Sequence, residues 1–196
     1  MRDKRCQVCG VHANICVCDA CTPITGAPLI TVLQHPSEVR QHKGTLRIAR
    51  ACLPSLRTVV GETPADFACL RAELVPSETA LLFPTTTSQA LEETAQPVRI
   101  HHWLILDGTW RKARKLLHCN TWLAELPAYH FAAPPVSAYR IRKSPRGDGL
   151  ATAEAIRQLL ALVAPGTRYD HLDSAMRALV NAELAQVPVH LRRHYQ

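Results

Sequence analysis

The sequence has no apolar run approaching the roughly 18–20 residues that a bilayer span requires. Its opening stretch, MRDKRCQVCG, carries no apolar signal segment. A soluble, cytoplasmic protein is the expectation. The chain also lacks the Gly-x-Gly-x-x-Gly turn of dinucleotide-binding sheets and any Walker-type phosphate loop, so those readings lose their main support. No internal repeat and no low-complexity tract breaks its 196 residues, which read as one domain with a small appendage. Acidic residues are in short supply. Sixteen Asp and Glu face 23 Lys and Arg, giving a net charge of +7 and a pI near 9.2. That balance suits a polyanion such as nucleic acid. The positive residues gather at 40–50, 111–115 and 140–146, which favours a phosphate-tracking surface over a scattered solvated face.

What is present is concentrated. Five of the eight cysteines fall within the first 21 residues. In a chain without a secretion signal they argue against a disulfide framework. Cys6-x-x-Cys9 and Cys16-x-Cys18 supply four thiolates within one turn-rich loop. Tetrahedral zinc takes four soft ligands, and C-x-x-C lets a tight turn aim two sulfurs at one ion. Free thiols, a redox pair and an iron–sulfur cluster are the alternatives. Cys21 is surplus to the four, and His12 stands as an alternate ligand. With all four positions filled by protein, the metal would hold no catalytic water and would stabilise a knuckle over residues 1–24 that has little core of its own.

The stretch HHWLILDGTWRKARKLL, from His101 to Leu117, organises the rest. Trp103-Leu104-Ile105-Leu106 reads as a strand buried on both faces. Asp107-Gly108 breaks it as a turn pair. Arg111, Lys112, Arg114 and Lys115 then alternate with Ala113, Leu116 and Leu117 at helical spacing. In open α/β sheets, ligands collect where strands end and helices begin. Asp107 and Trp110 sit at such a place. The structural alternative is that Asp107 or Thr109 only caps the helix and Trp110 only packs on the core.

The remaining elements alternate as an α/β fold requires. Residues 29–34 (LITVLQ) read as a first parallel strand, ended by His35-Pro36. The basic segment after it runs to residue 53, with Leu46, Ile48, Ala49 and Cys52 as an apolar face. A second strand is expected at 58–60, a helix or connection at 64–70, and a third strand at 80–83 running into Pro84-Thr85-Thr86-Thr87-Ser88. Ser88 is expected to cap a helix over 88–94. A strand at 129–132 leads through Pro134-Pro135 into the basic segment 136–143. If that segment is extended, Arg140 and Arg142 share a side, where guanidinium grips phosphate or stacks on bases. SPRGDG at 144–149 is a loop. Residues 150–163 read as a helix with Thr152 and Glu154 in its first turn, where the dipole favours an acid. A packing helix at 173–187 precedes a basic tail.

Asp107-Gly108-Thr109-Trp110 fits a D-x-T-W signature, and other segments accompany it in order. They are the two cysteine pairs, His35-Pro36-x-Glu38 with Gly44-Thr45-Leu46, then Leu82-Phe83-Pro84. Ser137-Ala138-Tyr139-Arg140-Ile141-Arg142 and Thr152-Ala153-Glu154-Ala155 complete the set. Over residues 6–165 the chain resembles the DTW-domain family, the tRNA-uridine aminocarboxypropyltransferases. The family's N-T-G-R-L-like run reads His42-Lys43-Gly44-Thr45-Leu46-Arg47 here, with Lys43 or Gly44 at the asparagine position. The resemblance implies an α/β, SPOUT-like parallel sheet with helices on both faces and a C-terminal trefoil knot, spanning 25–196 beside the zinc knuckle. It implies transfer of the 3-amino-3-carboxypropyl group of S-adenosylmethionine to N3 of a tRNA uridine. Catalysis would fall to Asp107, Thr109 and Trp110. The co-substrate would lie against Phe83, Pro84, Thr85, Leu106, Gly108, Tyr139, Thr152 and Glu154. Arg40, Lys43, Arg47, Arg111, Lys112, Arg114, Arg140 and Arg142 would meet tRNA. Cys6, Cys9, Cys16 and Cys18 would hold structural Zn2+. No membrane and no obligate protein partner is expected, and monomer and homodimer both stand. An S-adenosylmethionine-dependent RNA methyltransferase and a non-catalytic zinc-ribbon RNA-binding protein are the competing readings.

Overall fold

In the computed structural model, residues 5–7, 9, 11–41, 43–94, 100–141 and 149–195 are described. Six strands make one sheet. They are β1 (Leu29–Gln34), β2 (Arg57–Val60), β3 (Thr79–Leu82), β4 (Gln89–Ala90), β5 (His102–Asp107) and β6 (Ala128–His130). Their order is β2-β1-β5-β3-β6-β4, and each of these pairings is parallel. β1 and β3 do not pair; β5, later in sequence, fills the gap between them. The register runs from Leu29 opposite His102 to Gln34 opposite Asp107. Asp107 therefore arrives at the middle of the sheet's carboxyl edge.

Helices cover both faces: α1 (Leu46–Cys52), α2 (Ala68–Glu73), α3 (Trp110–Cys119), α4 (Thr152–Val163) and α5 (Asp170–Ala185). The two-residue alternation of a strand sorts the core into two clusters. Ile30, Val32, Ala80, Leu82, Trp103, Ile105 and Tyr129 pack with α1, α4 and α5. Leu33, Leu81, Phe83, Leu104 and Leu106 pack with α2, α3 and Trp122 on the opposite face. Burial on both faces is why β5 is apolar without interruption. Each such side chain removed from water stabilises the fold by roughly 1.5–3 kcal/mol.

The expected helix over 88–94 is absent. Gln89 and Ala90 instead pair with Tyr129 and His130 as the edge strand β4. Ser88 staples a turn: its hydroxyl accepts from Thr85 N–H and donates to the Thr85 carbonyl, each at 3.0 Å. Local hydroxyl spacing fits a cap and a turn equally, and the free edge of β6 decided between them. The helix expected at 64–70 begins later, at Ala68. The last strand is Ala128–His130 rather than 129–132. The final helix is Asp170–Ala185, followed by a 3-10 turn over Val189–Tyr195. Residues 142–148, with Arg142 and most of the loop expected at 144–149, lie outside the described residues. Among the described residues no helix is long and apolar enough to cross a membrane.

Candidate functional site

The carboxyl ends of β5, β3 and β6, with the segment after β1, open into a cavity of about 930 Å³. Asp107 ends β5 inside it, 8% exposed. Its Oδ1 accepts from the Thr152 hydroxyl at 2.5 Å and its Oδ2 from the Gln34 side-chain amide at 2.8 Å. The last residue of β1 and the first of α4 thus clamp one carboxylate from two sides. The helix cap is Thr109, whose hydroxyl accepts from Lys112 N–H at 3.4 Å. Asp107 is turned to Thr152 and Gln34. Gly108 sits in a tight turn where a side chain would press on the first turn of α3. A Cβ there would lie 3.0 Å from the Lys112 Cβ and 3.7 Å from the Ala113 nitrogen and the His35 Cβ. Trp110 opens α3, half-buried, with its ring centroid 5.6 Å from that of Phe83.

The chain leaving β6 crosses to the segment after β1 before α4 starts. The Tyr139 hydroxyl donates to the Lys43 carbonyl at 2.8 Å, and Thr45 accepts from Ala153 N–H at 3.1 Å. Glu154 locks this crossing. Its Oε1 accepts from Ala138 and Tyr139 N–H at 2.8 and 3.0 Å. Its Oε2 accepts from the Ser137 hydroxyl and Ala151 N–H, both at 2.8 Å. An acid in the first turn of a helix is favoured by the dipole, and here it also binds the neighbouring loop.

Of the residues singled out from sequence, Phe83, Pro84, Leu106, Asp107, Gly108, Thr109, Trp110, Tyr139, Thr152, Lys43, Arg111 and Arg114 line the cavity. Thr85, Glu154, Arg40, Arg47, Lys112 and Arg140 are not among its lining residues. The Lys112 ammonium meets the buried carboxylate of Glu38 at 2.7 Å. Lys115 meets Glu62 at 2.7 Å, and Glu62 also meets His35 at 2.6 Å. Lys115 and His35 hold the Glu62 carboxyl below its usual value. Arg47 donates to the Ile15 carbonyl at 3.4 Å and so ties α1 to the cysteine knuckle. Arg40 and Arg140 are exposed. Sequence reasoning named Glu38 only within the His35-Pro36-x-Glu38 segment and missed Gln34 and His130. The available signal was a polar residue closing an apolar strand, as in LITVLQ and AYH.

The knuckle brings Cys6, Cys9, Cys16 and Cys18 together, with all four sulfurs within 4.8 Å of one another. Cys6 and Cys18 are 3.9 Å apart, and Cys9 and Cys16 are 3.8 Å apart. Sulfurs tetrahedral about one ion at ~2.3 Å lie about 3.8 Å from each other, so the cluster fits zinc. Burial and the neighbouring sulfurs push the Cys18 thiol up. A divalent cation would reverse that, because bound thiols are deprotonated. His12 is not a member of the cluster. Its Nδ1 accepts from Asn14 N–H at 3.3 Å and starts a 3-10 turn. Cys21 donates to the Val17 carbonyl at 3.4 Å. Val17 and Ile24 enter the same core cluster as α1, α4 and α5.

Comparison with known proteins gives a family match and distant relatives. Residues 3–184 match the DTW domain. The chain is 28% identical over 169 residues to tRNA-uridine aminocarboxypropyltransferase 2 of Drosophila melanogaster, covering 83% of this chain and 67% of that protein. The proteins of the same description in Macaca fascicularis and Mus musculus are each 25% identical, over 83% of this chain and 57% of theirs. The chain thus spans little more than half the length of these two. No solved structure matches.

Proposed function

Because this chain belongs to the DTW-domain family, we propose that it transfers the 3-amino-3-carboxypropyl group of S-adenosylmethionine to N3 of a uridine in tRNA. The observation that carries the reading is the clamped Asp107 carboxylate, in one cavity with Trp110, Arg111 and Arg114. The names of the three relatives support it from outside the geometry.

In this reaction the N3–C bond forms as the C–S bond to the γ-carbon breaks, the N3 proton leaves, and methylthioadenosine departs. The sulfonium supplies three activated S–C bonds, and the way the co-substrate is held selects among them. Asp107 accepts the N3 proton, a general-base contribution of typically 10²–10⁴-fold. Thr152 and Gln34 hold that carboxylate in one orientation, and such positioning contributes further kcal/mol. Trp110, braced on Phe83, offers a face to the base or to the sulfonium. Arg111 and Arg114, three apart on α3, share a side and take phosphates, which position RNA without specifying its sequence. A base in a tRNA loop is reached at less unstacking cost than one in a helix, and the variable loop is our choice of site. Cys6, Cys9, Cys16 and Cys18 hold zinc as a structural ion outside the reaction. The fold reading extends to a SPOUT-like topology with a C-terminal knot. The crossing from β6 to the segment after β1 ahead of α4 supports it.

The test is mass spectrometry of nucleosides from unmodified bulk tRNA incubated with the protein and S-adenosylmethionine. A uridine gaining the aminocarboxypropyl mass, with methylthioadenosine released, is the expected result. A methylated nucleoside with S-adenosylhomocysteine would replace the reaction with methyl transfer. Tight tRNA binding with no mass change would leave a binding module.

A further inference from the structure

We propose that His130 reads the hydrogen-bonding edge of a nucleobase held against the aromatic wall of the cavity. His130 ends β6 and lines the cavity together with Phe83, Trp110 and Phe131. Its place in the strand puts it on the α2–α3 face, since Ala128 packs in that cluster and Tyr129 in the other. Asp107 reaches Thr152 and Gln34 instead, so the two polar groups serve different parts of the cavity.

The Ser88 hydroxyl determines which ring nitrogen is available. It has three partners, each at 3.0 Å: Thr85 N–H, the Thr85 carbonyl and His130 Nδ1. A hydroxyl has one proton. The amide donates to it, and the carbonyl takes its proton. All three contacts are satisfied only if Nδ1 donates. In the neutral ring Nε2 then carries a lone pair. The Thr85–Ser88 turn closes through the Ser88 hydroxyl's two contacts to the Thr85 backbone, so the imidazole is not needed to hold it. A lone pair beside aromatic rings attracts an in-plane N–H and repels a carbonyl. One base in the proposed reaction presents such an N–H to this part of the cavity, the adenine 6-amino group of the co-substrate, since the uracil N3–H is the proton assigned to Asp107. This inference rests on that reading for its choice of ligands.

Calorimetry compares binding of 5′-methylthioadenosine with its purine analogue lacking the 6-amino group, for wild type, His130→Phe and His130→Gln. Wild type is expected to prefer the amine by about tenfold, the value of one hydrogen bond. The preference collapses in His130→Phe and is partly restored by His130→Gln. An unchanged preference in a folded His130→Phe protein overturns the proposal. A His130-dependent adenine preference in a protein that transfers nothing to tRNA would keep it and remove the reaction instead.

Discussion

The two ends of β5 both carry a partly or wholly buried polar residue, and the sheet treats them differently. At the amino end His102 is satisfied inside the sheet, its Nε2 sharing a hydrogen bond of 2.8 Å with the buried Thr31 hydroxyl on β1. Burial pulls the His102 pKa down. At the carboxyl end Asp107 is met by Gln34 and by Thr152, the latter from a helix that begins 45 residues later. That end opens into the cavity, because in a parallel sheet the strand-to-helix turns that bind ligands gather at one edge. Burial of a polar residue alone does not mark a functional position; the edge on which it lies does.

Asp107→Asn is the strongest test of this contrast. The amide keeps size and polarity, so we expect a folded protein with tRNA affinity intact and turnover lowered by roughly 10²–10⁴-fold. Single-turnover kinetics at wild-type rate would place Asp107 with His102 as a structural residue. Gln34→Leu removes one donor to the carboxylate. A hydrogen bond to a charged group is worth about 1.5–3 kcal/mol, so kcat falls about tenfold or more while KM for tRNA holds. A change in KM alone would assign Gln34 to binding. The smallest effect belongs to the other end of the strand. His102 has a folded pKa depressed below the ordinary 6.5. Below that value the unfolded chain takes up a proton that the folded one refuses, so stability declines as pH falls from about 6.5 until the folded ring also protonates. Urea midpoints from pH 5 to 8 should show that slope in wild type and a flatter one in His102→Gln, with turnover unaffected. A turnover change matching that of Gln34→Leu would erase the contrast.

The D-x-T-W unit was legible because a continuous apolar run, a turn pair and a helical period are local signals. The cysteine cluster was legible for the same reason, through short spacings that a single turn brings together. The basic run of α3 was only half legible. Arg111 and Arg114 lie on one side and Lys112 and Lys115 on another, as helical periodicity dictates. Which side meets the cavity depended on Glu38 and Glu62, which come from the segments after β1 and β2. Arg47 reads as a phosphate ligand in sequence, and its donation to Ile15 is visible only once the knuckle is folded against α1. Ser88 reads as a cap in sequence because hydroxyls suit caps and turns alike.

Strand and helix periodicity, the tight cysteine spacings and the charge balance are encoded within a few residues of one another. They determined the α/β class, the metal-binding capacity and the placement of Asp107 at a strand end before any packing was known. The partners of that carboxylate were decided by the tertiary structure. Gln34 and Thr152 lie 73 and 45 residues from Asp107. They converge on it only because β5 inserts between β1 and β3 and the chain crosses back over the sheet edge, contacts whose register no local pattern carries.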